Sequence, residues 1–116
     1  MTNSDEDAIY RLPSEGEWEL AAGHMPKDAA MNTGGTDGIT SVYEYSETVS
    51  ASGAIDMWGN VWEWTTTERG SNCNMAVKGG AWNSPKTDCR TEYREEGRNA
   101  LTGYDNVGFR VVQEIK

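Results

Sequence analysis

The stretch Asp56–Thr65 reads DMWGNVWEWT and places Trp58, Trp62 and Trp64 within ten residues. A Gly-Asn pair in its middle is a turn signal, and the residues that follow alternate with the period of two that is typical of a β-strand. Trp62 and Trp64 then lie on one side of this strand, while Val61 and Glu63 lie on the other. We expect both tryptophans to face the core, so the stretch predicts an aromatic core built on a short strand.

Size and charge limit the classes of function. The chain has 116 residues and a formal net charge of −9, with a pI of about 4.5. This length predicts a single domain with one modest core, in which the five tryptophans supply much of the buried apolar area. A strongly acidic chain repels nucleic acids and anionic membranes and suits cations or basic partners. We therefore expect neither nucleic-acid binding nor membrane insertion.

The N-terminus has no features of an export signal. Acidic residues follow Met1, whereas a secretory leader begins with basic ones, and no apolar run is long enough to cross a bilayer. We expect residues 1–8 to be a flexible N-terminus and residues 9–116 to form the domain. These features leave the compartment open, and they are compatible with a cytoplasmic protein or with display on a virion or surface assembly.

Local patterns predict a helix and four segments of strand character. Ser14 and Glu17 form a capping box, so we predict a helix over Glu15–Ala22 whose inward face carries Trp18, Ala21 and Ala22. Beyond NVWEWT, the runs MAVKGGAW and VGFRVVQEI have strand character, as does ITSVYEYSETV at residues 39–49. The single His24 falls in a Gly- and Thr-rich loop, where a solvated residue is a better interpretation than a metal ligand.

Four motifs together resemble a known family. The segments RLPSEGEWELAA, DMWGNVWEWT, VKGGAW followed by CRTEYR, and DNVGFRVV have the order and spacing of the formylglycine-generating-enzyme family, a branch of the C-type lectin fold. The resemblance implies an α+β fold with short antiparallel strands, few helices and much irregular loop. Such domains usually carry a strand and a long helix before the RLP motif, and few residues precede it here. We therefore expect a compact variant, or a homo-oligomer or partner chain that covers the bare surface.

The resemblance also allows a test for catalysis. The family's enzymes are copper-dependent oxidases that use two cysteines five residues apart after the GG motif. Here the second position is Cys89, but the first is Ser84, and a serine hydroxyl cannot replace a thiolate that binds soft Cu(I). We therefore expect no oxidase activity and interpret Cys89 as a small buried apolar residue. A disulfide between Cys73 and Cys89 is an alternative.

A structural calcium ion is a second implication of the resemblance. Carried over by position, its ligands would be the side chains of Asp56 and Glu63 and the carbonyls of Gly59 and Val61. Hard oxygen ligands from a tight turn are what calcium prefers. In the alternative interpretation, Glu63 pairs with an arginine, either Arg110 or Arg94. We expect that no cofactor is required, and a structural Ca²⁺ is the one candidate ion.

The remaining implication is binding. In the variable proteins of diversity-generating retroelements, the same fold varies between GGxW and GFR, at adenine-bearing codons, and residues 82–106 occupy that place here. Asn, Ser, Asp and Tyr are reachable from an asparagine codon and suit adaptable protein recognition, whereas Lys and Glu are not reachable in this way. We predict such a variable protein, which binds protein ligands through this region; the alternative is a fixed interaction module of the same family. The predicted ligand-binding residues are Trp82, Asn83, Ser84, Lys86, Asp88, Tyr93, Glu95, Asn99, Tyr104, Asp105 and Asn106.

Overall fold

A computed structural model describes residues 8–26, 30–34, 38–40, 44–45, 48–70 and 73–115. Within these residues it has the single α-helix α1 and six short strands, with a 3-10 helix at Lys86–Cys89. Turns and irregular loop make up the rest, so the expected α+β class is confirmed. The elements are β1 Ala8–Arg11, α1 Glu15–Ala22, β2 Trp62–Glu68, β3 Asn74–Lys78, β4 Gly97–Asn99, β5 Val107–Gly108 and β6 Val112–Ile115.

The helix α1 has the predicted bounds and the predicted cap. The Ser14 side chain accepts from the amide of Glu17, and the Glu17 side chain accepts from the amide of Ser14. These two bonds satisfy amides that the first turn of any helix leaves unpaired. Trp18 and Ala22 are buried and Ala21 is partly buried, so the predicted inward face is confirmed.

The strands form two sheets. One has four strands in the order β4-β3-β2-β5, and the other pairs β1 with β6. The segment predicted as one C-terminal strand is divided between the sheets, because residues 109–111 carry the chain from β5 to β6. The strands are not all antiparallel either, since β5 runs parallel to β2.

Three further expectations about the strands need comment. The sequence predicted a compact variant without an N-terminal strand, whereas strand β1 precedes α1 and pairs with β6. The strand predicted from MAVKGGAW ends at Lys78, before the glycine pair and Trp82. Much of the run at residues 39–49 lies outside the described residues; within it, Val49 forms a bridge with Ile55.

The two faces of the four-stranded sheet have different neighbours. On one face Glu63 and Lys78 point towards α1, where Trp18 heads a core with Met57, Trp58 and Cys89. The other face carries a second cluster of Trp62, Val77 and Ala81, with Trp64, Tyr93 and Val107 partly buried against it. Strand alternation separates the two sets, because successive side chains point to opposite faces. The second face is therefore the one that the helix does not cover.

The glycine pair after β3 allows the chain to pass close to Met57 and Cys89 of the core beside α1. Gly79 and Gly80 both have positive φ, at 96° and 72°. A Cβ on Gly79 would collide with the carbonyl of Met57, and one on Gly80 would collide with the sulfur of Cys89. Only glycine permits this backbone conformation at such close approach without strain. The pair lets β3 turn tightly against the loop and helps to bury Cys89.

The cysteines are free thiols. Cys73 is exposed, whereas Cys89 is buried, so the alternative of a disulfide is not formed and Cys89 has the buried role expected of it. None of the described helical segments is long and apolar enough to cross a membrane.

Candidate functional site

The uncovered face of the sheet carries a group of aromatic rings around one arginine. We call this group the aromatic face and define it as Trp62, Trp64, Tyr93, Arg98 and Tyr104. The ring centroids of Trp62 and Tyr93 are 6.1 Å apart, and those of Trp64 and Tyr104 are 6.2 Å apart. The guanidinium of Arg98 lies 5.8 Å from the Trp62 ring and 5.6 Å from the Tyr104 ring. These tilted ring pairs and cation–π contacts order the face without burying it completely.

A cavity of about 410 Å³ and another of about 380 Å³ are among those that the described residues form. The smaller one lies at the Trp64 end of the aromatic face, between Leu12, Met75 and Ala100, and its lining is largely apolar. The larger one lies between the loop after α1 and the 3-10 helix, and its lining includes His24, Lys86 and Arg90. His24 is an exposed loop residue, as expected.

Most of the predicted ligand-binding residues reach the surface. Asn83, Lys86, Glu95 and Asp105 are exposed, and Trp82, Asp88, Tyr93, Asn99, Tyr104 and Asn106 are partly exposed. Ser84 does not, because it is only 6% exposed and its hydroxyl accepts from the amide of Ala81. The hydroxyl is used to hold the turn after the glycine pair, so it is withdrawn from any ligand.

Hydrogen bonds bring the two ends of the predicted variable segment together. The side-chain amide of Asn106 donates to that of Asn83 over 3.1 Å, and the amide of Trp62 donates to the carbonyl of Asn106 over 2.8 Å. The amide of Asn99 donates to the hydroxyl of Tyr104 over 3.2 Å. Residues far apart in sequence therefore share one surface with the aromatic face.

A buried lysine fixes the middle of this segment. Lys78 is 0% exposed, and its ammonium donates to the carbonyls of Thr91 and Tyr93 and to the carboxylate of Glu19 on α1. Burial lowers the pKa of Lys78, and the Glu19 carboxylate opposes that shift. Three acceptors around one buried ammonium are the compensation that such a group requires. Lys78 thus joins the sheet, the helix and the candidate binding segment.

The two positions that carry cysteines in the family's oxidases are Ser84 and Cys89 here, and both side chains are buried. The thiol of Cys89 is 3.3 Å from the hydroxyl of Thr33, and burial raises its pKa. A raised pKa keeps sulfur in the thiol form, whereas metal binding and nucleophilic attack need the thiolate. Ser84 holds the neighbouring turn, as described above.

The Gly-Asn turn of the opening stretch is a structural junction. The amide of Asn60 donates to the carbonyl of Asn32, its side-chain oxygen accepts from the amide of Thr40, and its carbonyl accepts from the amide of Trp82. The backbone of Asn60 has a φ of 70°, which asparagine tolerates better than most residues. This turn therefore ties three loops to the start of β2.

Glu63 forms the ion pair that the sequence left as an alternative to calcium. The guanidinium of Arg110 donates to both carboxylate oxygens over 2.7 and 2.8 Å, and the indole of Trp18 adds a third bond of 2.9 Å. Glu63 is only 3% exposed. Such a bidentate, nearly dry pair uses the lone pairs that a metal ion would need.

The remaining predicted calcium ligands fit an ion only in part. One carboxylate oxygen of Asp56 is buried without a hydrogen-bond partner, as a cation ligand would be. However, Arg110 also donates to the carbonyl of Asp56, so its positive charge lies where the ion would have to bind. The residues present therefore do not fit the four-ligand site of Asp56, Gly59, Val61 and Glu63 while Arg110 is in place. The structure therefore favours the arginine pair, the alternative to calcium that the sequence offered.

Sequence reasoning missed two parts of the site. It placed Trp62 and Trp64 in the core, which is right for Trp62, but Trp64 is only partly buried and borders the apolar cavity. It also gave no role to Arg98, whose position depends on the pairing of β4 with β3. Alternation in β2 shows that the tryptophans share a face, but it does not show what covers that face.

The comparisons with known proteins agree with this geometry. Residues 2–115 match the model of the sulfatase-modifying factor enzyme 1-like domain. No curated protein matches the chain. Among solved structures, Treponema denticola variable protein 1 has a TM-score of 0.75 at 22% identity, covering 88% of this chain and 46% of its own.

Two other solved structures share the fold. PvdO from Pseudomonas aeruginosa has a TM-score of 0.77 at 22% identity, covering 91% of this chain and 53% of its own. CarF has a TM-score of 0.69 at 21% identity, covering 92% of this chain and 47% of its own. This chain therefore spans about half the length of the solved structures it matches, and it has the C-type lectin fold expected from its motifs.

Proposed function

Because the chain belongs to the sulfatase-modifying factor enzyme 1-like family, the formylglycine-generating-enzyme branch of the C-type lectin fold, we propose that it is a non-catalytic ligand-binding protein. Its ligands are proteins, bound by the aromatic face together with the surface residues of segment 82–106. The observation that carries this proposal is the sheet face opposite α1, where the partly exposed rings of Trp64, Tyr93 and Tyr104 pack around the buried Trp62, beside polar side chains of the same segment. Large aromatic side chains beside Asn, Ser and Tyr are typical of adaptable protein-binding surfaces.

The site chemistry supports binding rather than oxidation. Ser84 stands where the oxidases carry a cysteine, and Cys89 is a buried thiol with a raised pKa. Neither group can supply the exposed thiolate that soft copper needs. A copper-dependent oxidase is therefore the weaker alternative, and it predicts oxygen consumption in the presence of copper and a cysteine-bearing peptide.

The distribution of contacts supports a variable protein of a diversity-generating retroelement. Several contacts that hold the segment use its backbone: Lys78 binds carbonyls, and the Gly-Asn turn binds the amide of Trp82. The side chains of Glu95 and Asp105 are exposed, so substitutions there cost little stability. One structure that shares the fold is itself named a variable protein.

Sequencing of the encoding locus across a natural population tests this proposal. Substitutions confined to adenine-bearing codons between 82 and 106, beside a near-repeat template and a reverse transcriptase gene, are the expected result. Variation should fall on exposed positions such as Asn83 and Asp105 and spare Ser84, which is buried. A uniform segment without such neighbours would contradict the variable protein and leave a fixed interaction module.

A second surface fits the expected homo-oligomer or partner chain. Ile9, Tyr10, Phe109 and Val111 on or beside the β1–β6 ribbon are 39%, 55%, 70% and 50% exposed. Large apolar side chains exposed on one short ribbon are candidates for an interaction surface, although Ile9 and Tyr10 point to its opposite faces. Light scattering after gel filtration tests for a second copy: a dimer that Phe109→Ser dissociates supports it, and a monomer at all concentrations points to a different chain.

A further inference from the structure

Four oxygen atoms of this chain converge on the guanidinium of Arg110. It donates to both carboxylate oxygens of Glu63 over 2.7 and 2.8 Å. It also donates to the carbonyls of Ile55 and Asp56 over 3.0 Å each. Carboxylate and carbonyl oxygens that meet at one point are also the ligands that a calcium ion prefers. The guanidinium is therefore a cation of the chain itself, bound by the kinds of group that would bind a metal ion.

These bonds join three parts of the fold. Arg110 belongs to the crossover at residues 109–111 between β5 and β6, whereas Glu63 lies on β2 and residues 55–56 lie in the loop before it. The partners are 47 to 55 residues from Arg110 in sequence. Glu63 also accepts from the indole of Trp18, so the same carboxylate connects the cation to the core beside α1. A structural metal ion acts in the same way, because it holds together ligands that come from separate segments.

One oxygen at this position is left unsatisfied. Oδ2 of Asp56 is buried and has no hydrogen-bond partner among the described residues. Asp56 lines a cavity of about 310 Å³ together with Glu63 and Arg110. A buried acceptor without a donor destabilises a fold unless a ligand satisfies it. Two carboxyl groups thus share this cavity with one guanidinium, and a divalent cation could bind both of them.

We propose that Arg110 replaces a metal ion in this domain and closes a cation site that a shorter side chain at position 110 opens. With the guanidinium in place, the loop before β2 keeps its conformation without calcium. When the guanidinium is removed, the carboxyl groups of Asp56 and Glu63 and the carbonyls of residues 55 and 56 surround the space that it leaves. Calcium suits such a mixed set, because it accepts about 6–8 oxygens in flexible geometry and waters can complete its shell. This inference concerns the frame of the domain and does not depend on the proposed ligand binding.

Arg110→Ser tests the inference through the melting temperature of the whole chain. In a chelator this variant should melt below the wild type, because Glu63 and the two carbonyls lose their donor. About 5 mM calcium should then raise its melting temperature by at least about 3 °C, whereas the wild type should change by less than about 1 °C. Isothermal titration calorimetry should give a calcium Kd below about 1 mM for the variant alone. Magnesium should have a smaller effect, since it requires strict octahedral geometry and releases its waters reluctantly.

Arg69→Ser is the matched control. Arg69 pairs with Glu15, and the exposed fractions of these side chains, 30% and 5%, are close to the 32% and 4% of Arg110 and Glu63. Arg94 remains 3.6 Å from Glu15, so a cation of the chain stays beside this carboxylate and calcium should not raise the melting temperature. The control shows whether calcium stabilises any variant that has lost an ion pair of this kind.

Second substitutions locate the ion. Asp56→Asn or Glu63→Gln, each added to Arg110→Ser, should weaken calcium binding at least about tenfold, because each removes a charged ligand. If Arg110→Ser does not fold, Arg110→Gln, which keeps a hydrogen-bond donor, takes its place; near-ultraviolet circular dichroism verifies the fold of every variant. The inference is overturned if a folded variant does not respond to calcium, if the wild type responds equally, or if neither second substitution changes the affinity.

Discussion

Replacement of Lys78 by methionine tests how the binding segment is attached to the fold. Lys78 is fully buried and donates to Glu19, Thr91 and Tyr93 over 2.8, 2.8 and 2.6 Å. Methionine has a similar length and shape, so the substitution removes the ammonium without opening a large cavity. The measured loss then reports on the three hydrogen bonds.

The magnitude follows from the partners that are left behind. Breaking a buried ion pair by removing one member costs about 3–5 kcal/mol, since the other charge stays uncompensated. Here Arg94 still pairs with Glu19, so the carboxylate keeps a cation and the loss falls towards the lower limit. The two carbonyls lose their donor as well, at about 1–3 kcal/mol for each one that water cannot reach. Taking the lower limit for each of these losses, we expect a total of about 5 kcal/mol.

Urea unfolding followed by tryptophan fluorescence measures this cost. A double-mutant cycle with Glu19→Gln isolates the part that belongs to the ion pair. Glu68→Gln, which removes one charge at an exposed position of β2, is the control and should change the free energy of unfolding by less than about 0.5 kcal/mol. A loss below about 1 kcal/mol for Lys78→Met would refute the assignment of Lys78 as the attachment of the segment.

Three further predictions concern the core, the pH and calcium. Trp62→Ala should lower the free energy of unfolding by about 3–5 kcal/mol, because the ring is 2% exposed. Tyr93→Ala should lower it by only about 1 kcal/mol, for the lost ring contact, but should weaken ligand binding. Equal losses of stability in thermal melts would contradict this division. The side-chain hydrogen bond from Arg94, followed by that from Lys78, lowers the pKa of Glu19 to about 2, so its contribution is present above about pH 4.5 and is lost as the pH falls towards 2. In urea unfolding, the free energy of unfolding of the wild type should exceed that of Glu19→Gln by about 1–3 kcal/mol at pH 6, and this difference should shrink at pH 2.5. A difference that does not change with pH would show that the charge of the Glu19 carboxylate does not stabilise the fold. Excess calcium or a chelator should move the melting temperature by less than about 1 °C, because Arg110 occupies Glu63, and a clear rise with calcium would show that the ion displaces the guanidinium.

The sequence by itself determined the features that depend on neighbouring residues. The bounds of α1 follow from a capping box whose two partners are three residues apart, and the shared face of Trp62 and Trp64 follows from alternation in one strand. The motifs, read in order, indicated the fold family and the segment that we propose to bind a ligand. Each of these signals is local, so no knowledge of the tertiary contacts was needed.

Only the tertiary structure decided what each buried charge contacts and which surface is open. Glu63 meets Arg110 across 47 residues, and Lys78 meets Glu19 across 59. The sequence offered two partners for Glu63, a metal ion or an arginine, because both satisfy a carboxylate equally well. It also could not show that Ser84 is buried or that Trp64 is left partly exposed. These outcomes depend on how distant strands and loops pack, and that packing places one face of the sheet on the helix and the other under the aromatic face.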